Sequence, residues 1–557
     1  MRALLTVPAM RISEIFPFLS LAIAMALSAC GKQGDDVPKP EPAGTTMESA
    51  QQAQAAALPP GIDWFAGDAD AAFAAGKSSG KPIFLYWGAE WCPPCAQIKA
   101  TIFNRREFQE RSRLFVPLYL DGDTPSAQRL GEQFGVIGYP TMILFRPDGT
   151  EITRLPGGVD VERYTNILDV ALADARPVAE ILAQATRGET ISANDWRLLA
   201  YYSWGTDNGR VLAEDQRVVA FKTLFDACPA SLRADCARLY FEYLGAAALA
   251  SDRTGQSALS TAERTDAQEQ LLDLLDEPAV QDANIQNLLY GAEPVVGLLS
   301  VEQSAERSEL IAAWASALTR LQALDGNDAL SSAEQLNLVR ARLVLARLQT
   351  PDDELPAELL DEARSAIARI DASTTDPYER QTAMNAATNL YWEAGLDAEA
   401  RAMLQAELAR SKSPYYFMLS LAEFAERAGR ESEALDWLAR AYEDAHGPAT
   451  RFQWGYSYLM GLLQMAPDDT RTIERVGLEV IGELDDSPDA FYQRTRLRLE
   501  SLNDKLLEWG QDGEREKVID ALRARAGQIC LHLPEADKGR KSCEQFLNPG
   551  GTTGRGA

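Results

Sequence analysis

Two prolines separate Cys92 from Cys95, and the pair follows closely on the apolar, aromatic run Ile83-Phe84-Leu85-Tyr86-Trp87. That combination leaves few folds open. The run predicts a buried strand, introduced by the turn residues Gly80-Lys81-Pro82 and preceded by a short helix over 68–78. From Cys92, the stretch CPPCAQIKATIFNRREFQERS can continue as a helix, because first-turn amides have no intrahelical partner and proline lacks only that amide. Cys92 then stands at a helix N-terminus, where free N–H groups and the backbone dipole stabilise a thiolate. A Cys-x-x-Cys pair can hold half a zinc site, lock a turn, or cycle between dithiol and disulfide. Zinc would need two further ligands, and neither His446 nor His532 is near in sequence. The cysteine pair by itself leaves the choice to the rest of the sequence.

Downstream, residues 114–121 predict a second buried strand, followed by a helix through about Phe134. Pro140 directly precedes a strand from Thr141 to Arg146, Asp148-Gly149 supplies a hairpin turn into the next strand, and Gly157-Gly158 leads to a helix over 161–173. The order βαβαββα joins a parallel first half to an antiparallel second half. On the residues WCPPC, the GYPT segment and the Phe-Arg-Pro-Asp-Gly hairpin, residues 62–175 resemble the thioredoxin superfamily. With KPIFLYWGAEWC after its short helix, they are most similar to periplasmic domains of the Dsb reductant-relay type. The resemblance implies an α/β thioredoxin fold, a central mixed sheet flanked by helices. It also implies a thiol–disulfide oxidoreductase with no cofactor beyond its cysteine pair. Cys92 would attack, Cys95 would resolve the mixed disulfide, Trp91 would belong to the catalytic site beside the pair, and Pro140 would be the cis-proline packed against it. Substrates would be disulfides of periplasmic proteins, reduced or isomerised, with a membrane reductant relay upstream. One departure stands out: aligned strand to strand, Tyr86 and Pro117 occupy the positions where classical thioredoxins carry a buried aspartate and its lysine partner. The base for Cys95 is therefore unassigned, with Glu90 the nearest carboxylate in sequence.

The N-terminus carries an export signal: Arg2 and Arg11, an apolar run over 15–27, then small residues before Cys30. That run is too short to predict a transmembrane helix. Leu27-Ser28-Ala29-Cys30 resembles the lipobox of bacterial lipoproteins, which implies lipidation at Cys30. Gly31 in the next position implies anchoring in the outer membrane, facing the periplasm. Residues 30–60, rich in Pro, Gly, Ala and Gln, predict a flexible tether with a reach of roughly 30 Å. An exported chain meets oxidising conditions, so the remaining cysteines pair as Cys228 with Cys236 and Cys530 with Cys543, both structural. On one continuous helix the first two would lie roughly 12 Å apart, beyond bridging distance. Pro229 lets one helix end and the chain turn back. The second pair flanks LHLPEADKGRK, a loop-like segment; its two thiols with His532 leave a zinc site one ligand short. No metal is expected.

Residues 177–548 carry long helical patterns rich in Ala, Leu, Glu and Arg, ahead of a disordered tail over 549–557. Within 386–445, AATNLYWEAGLDAEARAML and SLAEFAERAGRESEALDWL align at a displacement of 34 residues, matching Gly395 to Gly429, Glu399 to Glu433 and Ala400 to Ala434. That period resembles the tetratricopeptide repeat, so an all-α array of helix hairpins follows the 61–176 domain, with a concave face suited to partners. Trp196, Trp204, Trp392, Trp437 and Trp454 are expected in its core. Acidic residues number 82 against 54 basic ones, a formal charge of -28; phosphate backbones are repelled and nucleic acid is excluded as a partner. The alternative to an enzyme is an envelope scaffold that uses both regions for docking, although docking needs neither Cys92 nor Cys95.

Overall fold

The computed structural model describes residues 58–546 except 125, 159–160, 174–175, 325–329, 352–353, 486–488 and 512. The expected signal segment, Cys30, most of the tether and the C-terminal tail lie outside the described residues. No described helix is long and apolar enough to cross a membrane.

Four strands, β1 (Ile83–Gly88), β2 (Val116–Asp121), β3 (Thr141–Phe145) and β4 (Glu151–Leu155), form one mixed sheet in the order β2-β1-β3-β4. β1 pairs parallel with β2 and antiparallel with β3, and β3 pairs antiparallel with β4. All six residues of β1 are buried, which explains its unbroken apolar sequence: it has neighbours on both edges and packed layers on both faces. Five helices accompany the sheet in the chain: α1 (Ala69–Ser79), α2 (Pro93–Ile98), α3 (Arg106–Arg111), α4 (Ala127–Phe134) and α5 (Val161–Leu172). The hairpin between β3 and β4 turns at Gly149, whose φ of 88° falls in the left-handed region, and the Asp148 carboxylate accepts the Thr150 amide at 2.9 Å. The sequence order βαβαββα is the observed order.

Two details differ from expectation. The second strand begins at Val116; Ser112–Leu114 form a 3₁₀ turn that leaves Leu114 exposed. The helix after the cysteine pair is not continuous either. α2 passes into a π-helical turn over Lys99–Phe103, the chain breaks at Asn104 and Arg105, and α3 starts afresh. The Gln109 side chain covers the break, donating to the Phe103 carbonyl at 3.1 Å and the Pro60 carbonyl at 3.0 Å. The break turns Phe103 and Phe108 inward, where they meet Phe84 at 6.3 and 5.5 Å.

After Leu155 the described residues form helices and turns, with no further strand. They fall into two compact units. The first holds the sheet and the helices up to residue 394. The second holds residues 122–134, which include α4, together with 395–546. Within the second unit Arg129 of α4 lies over the Tyr492 ring at 4.9 Å, and Glu132 accepts from Arg496 at 3.3 Å. Gly395 and Gly429, the aligned glycines of the repeat, have φ of 66° and 67°, and the aligned Ala400 and Ala434 are both buried. Trp196, Trp204 and Trp454 are buried, whereas Trp392 and Trp437 are half-buried, the latter beneath the Arg440 guanidinium at 4.3 Å.

In the first unit a helix ends at Ala227, the chain turns through Pro229, a new helix starts at Arg233, and the Cys228 and Cys236 sulfurs are bonded across the turn. In the second, Cys530 and Cys543 are bonded. Their segment is less loop-like than expected, since Cys530 lies in the helix Gly513–His532 and Cys543 in the helix Lys538–Gln545. His532 approaches Asp485 at 3.2 Å.

Arg154 ties β4 to its surroundings. Its side chain is fully buried, donates to Glu151 at 2.8 Å and to the Gly135 carbonyl at 3.2 Å, and also bonds the Thr206 carbonyl. Removing one partner of a buried charged network leaves the others unpaired. Arg154→Met should therefore lower stability by roughly 3 kcal/mol, read as a fall in the denaturant midpoint with unchanged slope; a loss within error would show that solvent replaces the guanidinium.

Candidate functional site

β1 delivers the chain to the motif. After Gly88 and the exposed Glu90 come Trp91 and Cys92, and Cys92 is the N-cap of α2 with Pro93 and Pro94 in the first turn. The Cys92 Sγ accepts the Cys95 amide at 3.2 Å, and the two sulfurs are bonded with their Cα atoms 5.2 Å apart. The first cysteine thus sits where a helix offers an unpaired N–H, the placement that stabilises a thiolate once the bond is reduced.

The Tyr139–Pro140 peptide is cis and leads straight into β3, whose Thr141 pairs with Trp87. The Tyr139 ring stands edge-on to Trp87 at 5.0 Å and to Trp91 at 5.9 Å, so the proline loop lies beside the cysteine turn. Tyr86 is fully buried, stacked on Tyr119 at 5.2 Å and edge-on to Phe103 at 4.9 Å. Burial, then the negative Asp121, pushes its hydroxyl pKa far above the tyrosine range. Tyr119 is half-buried and donates to Asp121 at 2.8 Å. Glu90 is exposed; burial first, with a smaller contribution from the Glu90 charge, raises the hydroxyl pKa values of Tyr119 and Tyr378.

The motif has a cover that its own sequence does not announce. The helix Pro377–Ala394, in the same compact unit, packs on α2. Gln381 Nε2 donates to the Trp91 carbonyl at 2.8 Å, and Thr382 Oγ1 donates to the Pro93 carbonyl at 3.0 Å. These are the carbonyls on either side of Cys92. At the far end of α2, the buried Lys99 ammonium lies 5.2 Å from the centre of the Tyr378 ring. With this helix in place Cys92 is 3 % exposed and Cys95 0 %.

The structure therefore brings together Trp91, Cys92, Cys95 and the Tyr139–Pro140 loop. It keeps the Cys228–Cys236 and Cys530–Cys543 bonds as separate pairings. Sequence reasoning missed Gln381, Thr382 and Tyr378, which lie nearly three hundred residues on in an ordinary helical pattern with no local signal. Asp121 had one: it follows Tyr119 by two residues in a strand and so shares its face.

Residues 69–172 match the family model described as Thioredoxin-like domain. The chain is similar to "Thiol:disulfide interchange protein DsbD" of Actinobacillus pleuropneumoniae, 31% identical over 96 residues, and to "Thiol:disulfide interchange protein DsbD 1" of Pseudomonas aeruginosa, 30% identical over 95 residues. Each alignment covers 16% of this chain and 16% of the relative, so the chain spans about a sixth of the length of the curated relatives it matches. Among solved structures, a thioredoxin from Thermus thermophilus is 23% identical and covers 20% of this chain and 88% of its own, with a TM-score of 0.19. With the mixed sheet, the cysteine pair capping α2 and the family match over the same residues, the 69–172 segment of this chain is a thioredoxin-like domain.

Proposed function

We propose that this chain is a thiol–disulfide oxidoreductase of the bacterial envelope that reduces or isomerises disulfides of periplasmic proteins through Cys92 and Cys95. The observation that carries the reading is the bonded cysteine pair at the N-terminus of α2, with the Cys95 amide directed at the Cys92 sulfur. In the forward direction the Cys92 thiolate attacks a substrate disulfide, one substrate sulfur leaves as a thiolate, and a mixed disulfide forms. Cys95 then attacks the Cys92 sulfur, the internal disulfide closes, and the second substrate sulfur leaves and takes up a proton. The substrate is reduced and the pair is oxidised, so a reductant must reopen it. A membrane relay is the source favoured by similarity to proteins named for thiol–disulfide interchange. Lipidation at Cys30 and the tether would hold the domain near the outer membrane, and tetratricopeptide-like hairpins in the helical region would engage the partner.

Burial of Cys92 under the Pro377–Ala394 helix favours a second reading, a scaffold in which the domain serves for docking. Trapping separates the two. A Cys95→Ala variant should accumulate mixed disulfides with envelope proteins and Cys92→Ala should not, as seen by non-reducing electrophoresis; no adducts in either variant would favour the scaffold.

Access to Cys92 requires the covering helix to lift. Each hydrogen bond from Gln381 or Thr382 contributes about 1 kcal/mol to the covered state. Thr382→Val should accordingly raise the rate of Cys92 alkylation in the reduced protein about fivefold, with Gln381→Ala acting in the same direction; equal rates in all three proteins would show that the sulfur is reached without helix movement.

Direction follows from how strongly the reduced thiolate is stabilised. Equilibration with glutathione should place the pair well below roughly -120 mV, the strongly oxidising end of the scale. A value at or above that figure would make the protein an oxidase.

A further inference from the structure

We propose that the Tyr86 hydroxyl is a catalytic group of the redox centre, donating a hydrogen bond to Cys95 Sγ as negative charge gathers on that sulfur. The inference rests on the oxidoreductase reading above and supplies a group for the position that lacks a buried carboxylate.

Tyr86 Oη is buried and has no hydrogen-bond partner among the described residues. A buried hydroxyl left unpaired is unfavourable, and this one is held where it is. Phe103 meets the ring edge-on, Tyr119 stacks on it, and Trp64 closes a third side at 6.1 Å. Tyr86 and Gly88 lie two residues apart on β1 and so face the same side of the sheet. A Cβ at Gly88 would stand 2.8 Å from Tyr86 Oη and 3.4 Å from Cys95 Sγ. The hydroxyl and the sulfur thus border one small space, left open because residue 88 has no side chain. When the disulfide opens, the Cys95 sulfur is released from Cys92 beside the unpaired donor.

During resolution the Cys95 S–H bond breaks, its sulfur bonds to Cys92, the bond from Cys92 to the substrate sulfur breaks, and the departing thiolate takes up the proton. In the reverse direction Cys95 is the leaving thiolate. Tyr86 keeps its own proton in both, since burial and Asp121 hold its hydroxyl neutral. The other titratable groups facing the phenol are Tyr119 and Asp121 on β2, Tyr164 on α5 and Tyr378 on the covering helix. Tyr119 is occupied by Asp121, and Tyr164 by the Met142 sulfur at 3.2 Å.

The test uses the full chain, with the mixed disulfide at Cys92 generated by oxidised glutathione. Tyr86→Phe removes only the unpaired hydroxyl, so its denaturation midpoint should not fall. Resolution by Cys95 should slow about tenfold and its pH profile should move to higher pH, while Tyr164→Phe, which also loses a buried hydroxyl, should behave as wild type. In the Cys92→Ala background, adding Tyr86→Phe should raise the pH at which Cys95 forms its thiolate, followed by ultraviolet absorbance. Unchanged resolution and an unchanged Cys95 titration would overturn the proposal and leave the oxidoreductase reading standing. A clear loss of stability in Tyr86→Phe would also overturn it, by showing that the hydroxyl has a structural partner. A wild-type protein that forms no adduct at Cys92 would remove both.

Discussion

The cysteine turn hangs from one strand. β1 is paired on both edges and buried on both faces, so its last residues have almost no freedom, and they fix where the cysteine turn begins. The antiparallel partner β3 starts immediately after the cis-proline, which places the Tyr139–Pro140 loop opposite Trp87 through the same ladder. The parallel partner β2 sets Asp121 opposite Gly88. Three chemically distinct things, a cysteine turn, a proline loop and a carboxylate, are registered against one another through the ladders of one strand.

The parts legible in the sequence are those whose cause is local. An apolar run too short for a helix, two prolines that fit only a first turn, and an Asp-Gly turn each specify their geometry within a few residues. The break at Asn104 was not legible, because the residues on either side are good helix formers and the choice is made by where Phe103 and Phe108 pack. Leu114 has the composition of a strand residue but falls in the turn before it. The covering helix was beyond reach for another reason. Gln381 and Thr382 are unremarkable on a helix surface, and nothing in their neighbourhood encodes that the acceptors are the carbonyls of Trp91 and Pro93.

That cover changes what the motif means. A Cys-x-x-Cys at a helix N-terminus is reactive in proportion to its thiolate and its exposure together, and here the two are supplied by different parts of the chain. The thioredoxin-like domain places Cys92 at the α2 N-terminus, while the Pro377–Ala394 helix packs on α2 and bonds the carbonyls of Trp91 and Pro93. Hydrogen bonds of this kind each contribute about 1 kcal/mol to a packed contact.

The grouping of α4 with residues 395–546 bears on the order in which the molecule can be completed. The segment 122–134 lies between two strands of the sheet, yet its side-chain partners, Tyr492, Asp489 and Arg496 among them, are made some three hundred and sixty residues later. As the chain emerges from its N-terminal end, the strands can pair early, but the segment joining β2 to β3 must wait for almost the whole of the polypeptide before it can bury Ala127, Gly131 and Phe134. Contacts of such high sequence separation are formed late and slowly. Until then the half-made chain carries a helix whose inner face, Ala127, Gly131 and Phe134, has nothing to close over it.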